Sequence, residues 1–219
     1  MGLSRLPLIS FVHERYLQGS QMRIVIGMTG ATGAPLGVAL LSILQEIKEV
    51  ETHLILSKWA KTTIELETPF SSREVMSMAD VVYGPSDQAA TLSSGSFHTD
   101  GMVIIPCSMK TLAGIRMGYA EGLIGRAADV VIKEGRKLVL VPRETPLSTI
   151  HLENMLALSR LGVSMVPPMP AFYNHPAVID DVIDHVVSRV LDQFGIASPK
   201  ANRWKGLNNS KKSLSMESK

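Results

Sequence analysis

Short β-branched runs alternate with longer segments of helical periodicity from Met22 onward. Arg23–Gly27 is a short β-branched run and Met102–Pro106 another buried-strand run, and Thr52–Leu56, Lys137–Val141 and Val163–Val166 read as further strands. Between them, Pro35 suits a first helical position, and Leu36, Leu40, Leu41, Leu44 and Ile47 fall on one helical face. Helices are also predicted over Lys58–Leu66, from about Ser108, over Leu147–Arg160 and over Val178–Phe194. Buried strands alternating with helices predict an α/β fold, a parallel sheet covered on both faces. Ligands of such folds bind beyond the carboxyl ends of the strands, so the segments just after each strand are where chemistry is expected.

Those segments are unusual. The first is Gly27-Met-Thr-Gly30-Ala-Thr-Gly33, with a glycine at every third position. It matches neither the dinucleotide fingerprint nor the phosphate-binding lysine loop. It fits an anion at a helix N-terminus, or a tight turn with no ligand. Ser57 ends the second strand as a helix cap or a ligand hydroxyl. Pro106-Cys107-Ser108-Met109-Lys110-Thr111 again places hydroxyls at a helix start, and nothing nearby marks a base for Cys107, which favours a buried structural thiol. Pro142-Arg143-Glu144-Thr145-Pro146 brackets a cation and a carboxylate with prolines, a surface pair or a stiffened functional loop. Pro167 to Pro176 holds Phe172 and Tyr173 among four prolines, a packed loop or a rigid wall for a flat or hydrocarbon ligand.

Composition narrows the function classes. The chain has 219 residues, 45% hydrophobic and 19% charged, enough to bury one core. Aromatics at 5% argue against a stacking platform for single-stranded nucleic acid. No apolar run is long enough to span a bilayer. The one cysteine excludes an intramolecular disulfide framework and fits a reducing, cytoplasmic compartment. The net charge is +2, but Lys200, Arg203, Lys205, Lys211, Lys212 and Lys219 against Glu217 put +5 on residues 199–219. Arg5 and Arg15 against Glu14 put +1 on residues 1–21, leaving −4 on 22–198. An acidic body with a basic end is no nucleic-acid footprint. The six histidines show no short metal-ligand spacing, and no Gly-x-Ser-x-Gly elbow is present. Residues 1–21 read as an upstream extension, with an organelle-targeting reading left open, and 206–219 as a basic tail; both are expected to be disordered.

Taken in order, the two glycine- and hydroxyl-rich loops, Ser57-Lys58, Glu65-Leu-Glu-Thr68, Ser93-Ser-Gly-Ser96, Arg126-Ala-Ala-Asp-Val130, Pro142–Pro146, Pro170-Ala-Phe-Tyr173 and Arg203-Trp204 resemble the UbiX-type flavin prenyltransferases, a family also known as phenylacrylic or aromatic acid decarboxylases. The match covers about residues 22–205. The resemblance implies a single flavodoxin-like Rossmann domain binding FMN, and a homododecamer with active sites at subunit junctions. It implies transfer of the dimethylallyl group of dimethylallyl phosphate to N5 and C6 of reduced FMN, without a metal. The product would be prenylated FMN, the cofactor of a UbiD-type decarboxylase.

By the same resemblance, Thr29, Gly30, Ala31, Ser57, Ser108, Met109, Lys110, Thr111 and Arg143 bind FMN. Lys133, Tyr173 and Arg189, with Arg143, take the phosphate of the prenyl donor, and Arg126 supports that region. Glu67 and Thr32 lie near the flavin N5, and Glu144 moves a proton. Thr32 stands where the family usually has Ser, and Lys133-Glu-Gly135-Arg136-Lys137 replaces the common Lys-Glu-Arg-Arg-Pro. The competing readings are an FMN-dependent decarboxylase of a cysteine-containing or aromatic acid, and a non-catalytic flavin carrier. The cysteine decarboxylases usually carry an Asn-containing loop where this chain has Pro106–Thr111.

Overall fold

The computed structural model describes residues 21–201, 203, 204 and 206; the expected disorder of the N-terminal extension and basic tail falls almost wholly outside them. Six strands form one parallel sheet: β1 (Met22–Met28), β2 (Val50–Leu56), β3 (Val81–Tyr83), β4 (Gly101–Cys107), β5 (Lys137–Pro142) and β6 (Ser164–Met165). Their order is β3-β2-β1-β4-β5-β6. Without β3, which the apolar pattern did not announce, the remaining five run in flavodoxin order; β3 extends the edge to the six-stranded Rossmann order.

Alternation along each strand decides which helices go where. Ile24, Ile26, Met28, Leu54, Leu56, Val103, Ile105, Val139 and Val141 point to one face. That face is covered by α1 (Ala34–Gln45), α2 (Lys58–Glu67), α3 (Ser72–Ser77) and α7 (Ile179–Asp192). Val25, Ile55, Met102, Ile104, Leu138 and Leu140 point to the other, under α4 (Met109–Arg116), α5 (Gly122–Lys133) and α6 (Thr149–Arg160). The helix expected from about Ser108 is thus two helices. Gly118 (φ 68°) and Gly122 (φ 71°) break it in a left-handed conformation that other residues rarely adopt. Among the described residues, no helix is long and apolar enough to cross a membrane.

One buried polar cluster lies away from the carboxyl ends. His53 on β2 is 2% exposed, with Nδ1 3.0 Å from the Tyr83 hydroxyl. Glu51 Oε1 lies 3.4 Å from Nε2 without hydrogen-bond alignment. Phe97 meets the ring edge-on, and Arg23 sits over Phe97. Burial pushes the His53 pKa below its ordinary value, and Glu51 opposes this only in part. An unfolded chain therefore takes up a proton near the ordinary value of 6.5 that the folded chain refuses. The associated stability is present above that value and is lost as pH falls through it toward the folded pKa. Melting temperature is expected to drop more for the native protein than for His53→Gln between about pH 8 and about pH 5.5. Equal drops in thermal scans of the two would show that His53 takes up its proton alike in the folded and unfolded chains.

Candidate active site

The glycine-rich loop after β1 is held by its first hydroxyl. Thr29 is buried; its Oγ1 donates to the Pro106 carbonyl at 2.8 Å and accepts from the Ser108 N–H at 2.8 Å. One side chain thus ties the ends of β1 and β4 together at the point where strand order reverses, the place where such folds bind ligands. Gly30 runs against α2: a Cβ there would lie 2.3 Å from the Cβ of Trp59. Gly33, at φ 115°, precedes α1 and has no side chain to cap it. The cap comes from a distance, because Glu67 Oε2 accepts from the Gly33 and Ala34 N–H groups at 2.8 and 2.9 Å. Thr32 is exposed at the rim of this loop.

The neighbouring loops close on the same spot. Ser57 caps α2 by accepting from the Ala60 N–H at 3.0 Å, and its own N–H donates to the Met28 carbonyl at 3.0 Å. Ser108 caps α4, with its hydroxyl 3.0 Å from that of Thr111; Met109 is buried and Lys110 exposed. Arg143 N–H donates to the Cys107 carbonyl at 3.3 Å, which joins the end of β5 to the cluster. Burial pushes the Cys107 thiol up to about 12, so it is a structural thiol and no nucleophile at neutral pH. Glu144 is exposed beside Arg143, between Pro142 and Pro146.

Arg143 Nε is buried and has no hydrogen-bond partner among the described residues. A buried guanidinium donor left open among capping hydroxyls and helix starts fits a polar, anionic ligand such as FMN. The residues present therefore suit that cofactor: Thr29, Gly30, Ala31 and Ser57 on one side, Ser108–Thr111 and Arg143 on the other.

The cations expected around the prenyl phosphate are not in one place. Tyr173 and Arg189 share a groove of about 280 Å³ with His185, Asp192, Arg203 and Trp204. Lys133 and Arg126 lie on α5, under the opposite face of the sheet. Lys133 pairs with Glu134, and Arg126 bonds the Ser93 carbonyl at 3.1 Å and Asp129 at 2.7 Å. The sheet itself separates the two sets within one chain. In the groove, the Arg203 guanidinium holds the Asp192 carboxyl below the usual aspartate range. Burial, helped by Arg189, holds His185 below the usual histidine value.

The flavoprotein family model matches residues 13–191. A probable UbiX-like flavin prenyltransferase of Escherichia coli O157:H7 is 75% identical over 186 residues, 85% of this chain and 94% of the relative. The chain belongs to the UbiX-like flavin prenyltransferase family. Two solved structures are similar throughout. One is a dodecameric FMN-dependent UbiX-like decarboxylase from E. coli O157:H7, at TM-score 0.84 and 74% identity, covering 84% of this chain and 100% of that one. The other is AnUbiX (PadA1) in complex with FMN and dimethylallyl pyrophosphate, at TM-score 0.83 and 52% identity, covering 85% and 98%.

The groove and the glycine-rich loop bring in residues that sequence reasoning left without a role: Trp59, His185, Asp192, Arg203 and Trp204. Trp59 follows Ser57 on α2 and declares itself only through contact with Gly30. Asp192 ends a polar stripe on α7, four residues after Ser188 and eight after Asp184, but that spacing alone does not set it apart from solvent-facing helical charge.

Proposed function

We propose that this protein transfers the dimethylallyl group of dimethylallyl phosphate to reduced FMN and releases prenylated FMN. The observation that carries the reading is the buried, unpartnered Arg143 Nε at the junction of the β1, β4 and β5 loops. Thr29, Gly30, Ala31, Ser57, Ser108–Thr111 and Arg143 hold the flavin. Bound there in reduced form, FMN supplies the electron-rich ring edge that accepts the allyl group. Arg143 and Arg189, with Lys133, stabilise the phosphate as it leaves, since an allylic phosphate ionises only when its leaving anion is neutralised. Tyr173 and Trp204 offer π faces to the positive charge left on the allyl fragment. Glu144 accepts the proton that ring closure releases. Glu67 keeps the N-terminus of α1 capped, so the Gly30–Gly33 loop stays in place beside the flavin.

The split between the Arg189 groove and Lys133 supports a site completed by a second subunit, as in a homododecamer. So does the exposed apolar surface of Ile150, Leu152 and Leu156 on α6, with Phe172 and Ile179 nearby in sequence to the groove. In the same reading the product serves a UbiD-type aromatic acid decarboxylase, and the protein works in the cytoplasm, where Cys107 stays reduced.

The test is anaerobic. Purified protein, FMN, a reductant and dimethylallyl phosphate are mixed, and the released flavin is analysed by mass spectrometry. The expected product is a flavin carrying one added five-carbon unit. Unmodified flavin, with FMN bound and the donor intact, would sink the proposal and turn attention to carbon dioxide release from cysteine peptides and aromatic acids.

A further inference from the structure

The last described stretch of chain is laid along α7 by a stripe of three side chains. Asp184, Ser188 and Asp192 recur every fourth residue and so share one helical face. Asp184 pairs with Lys200 at 3.2 Å, Ser188 donates to the Ser198 hydroxyl at 2.9 Å, and Asp192 receives Arg203. The last contact is bidentate, Nη2 to Oδ1 at 2.5 Å and Nη1 to Oδ2 at 3.1 Å. Oδ2 also accepts from Arg189 Nη1 at 2.6 Å. Two guanidiniums on one carboxylate leave one uncompensated positive charge facing the groove. Directly after Arg203, the Trp204 ring meets Tyr173 edge-on, with centroids 5.5 Å apart.

We propose that Asp192 is a positioning residue that holds Arg189 and Arg203 as a pair facing a phosphate group and, through Arg203, sets Trp204 against Tyr173 as a strap over the groove. The phosphate part rests on the reading of this groove as the donor's phosphate site; the strap does not. An aspartate suits the task because its short side chain fixes both forks without crossing the groove. Arg203 sits in the exposed segment, so the aromatic wall is held from outside the sheet by charge and not by core packing.

The test uses the full-length protein without prenyl donor. Near-ultraviolet circular dichroism reads the Tyr173–Trp204 contact, and calorimetric titration reads affinity for inorganic phosphate. Asp192→Asn keeps the shape and removes the charge. It is expected to lower the aromatic band to the level of Trp204→Leu and to weaken phosphate binding about tenfold, the scale of one charge-assisted bond. Asp192→Glu is expected to recover part of both. In the transfer assay, the loss should fall on KM for dimethylallyl phosphate more than on kcat. If Asp192→Asn does not fold, Arg203→Gln tests the same strap from its exposed end, with the same expected loss of the band. A wild-type band in the Asn and Gln variants would overturn the strap, and wild-type phosphate affinity would overturn the pairing. Both readouts come from the resting protein, so a failure of prenyl transfer would count against the proposed function and leave them standing.

Discussion

Glu144→Gln is expected to slow prenyl transfer by about a thousandfold while FMN stays bound, the middle of the range for losing a general acid or base. The substitution is nearly isosteric. Gln keeps an oxygen to accept the Thr145 N–H, a contact that Glu144 makes at 3.2 Å. Pro142 and Pro146 stiffen the segment on either side, so the backbone carries little of the effect. What disappears is the ability to take a proton. A stopped-flow single-turnover rate, with an FMN affinity measured by flavin fluorescence, separates chemistry from binding. A wild-type rate would assign the proton to the departing phosphate. Lost turnover with the flavin retained would exclude the flavin-carrier reading, which requires Glu144→Gln to be silent.

The parts of this fold that announced themselves in the sequence are those whose residues answer to their own neighbours. β1, β2, β4 and β5 are buried on both faces, so each carries an apolar stretch of strand length. The helix boundaries followed from caps: Ser148 starts α6 at Thr149, two residues inside the expected range. β3 was silent because three residues carry no period, and its pairing with His53–Ile55 is a property of β2. β6 is shorter than Val163–Val166 for the same reason at the opposite edge, although Val166 N–H still donates to the Leu140 carbonyl at 2.8 Å.

The candidate site divides along the same line. Thr29, Ser57, Ser108 and Arg143 were legible because each follows a strand, and topology alone sends those positions to one end of the sheet. Lys133 and Arg189 looked alike as cations on predicted helices. Which face of the sheet a helix covers depends on crossover connections, and nothing local to Lys133 or Arg189 states it. Asp192 was hidden because a carboxylate among helical charges ordinarily faces solvent, and its two guanidinium partners come from different elements.

Gly30→Ala is expected to lower both the melting temperature and the affinity for FMN. The added methyl would sit 2.3 Å from Trp59 Cβ and 3.4 Å from its Cα. Those atoms are the root of the side chain at the start of α2, so no rotamer change relieves the contact. Either the loop or the helix must move. The loop cannot move alone, because Thr29, next in the chain, bonds the Pro106 carbonyl and the Ser108 N–H through one buried hydroxyl. Overpacking of this kind costs about 1–3 kcal/mol. For a chain of this size that lowers the melting temperature by roughly 2–4 °C per kcal/mol. Displacement of the loop is expected to weaken FMN binding by about tenfold or more, since the fit of backbone to ligand is lost with it. The double variant Gly30→Ala with Trp59→Gly removes the clashing Cβ and should recover part of the FMN affinity, a coupling that independent sites would not show. If Gly30→Ala melts and binds flavin like the native protein, α2 yields at no cost, and the close approach of Trp59 is not what reserves this position for glycine.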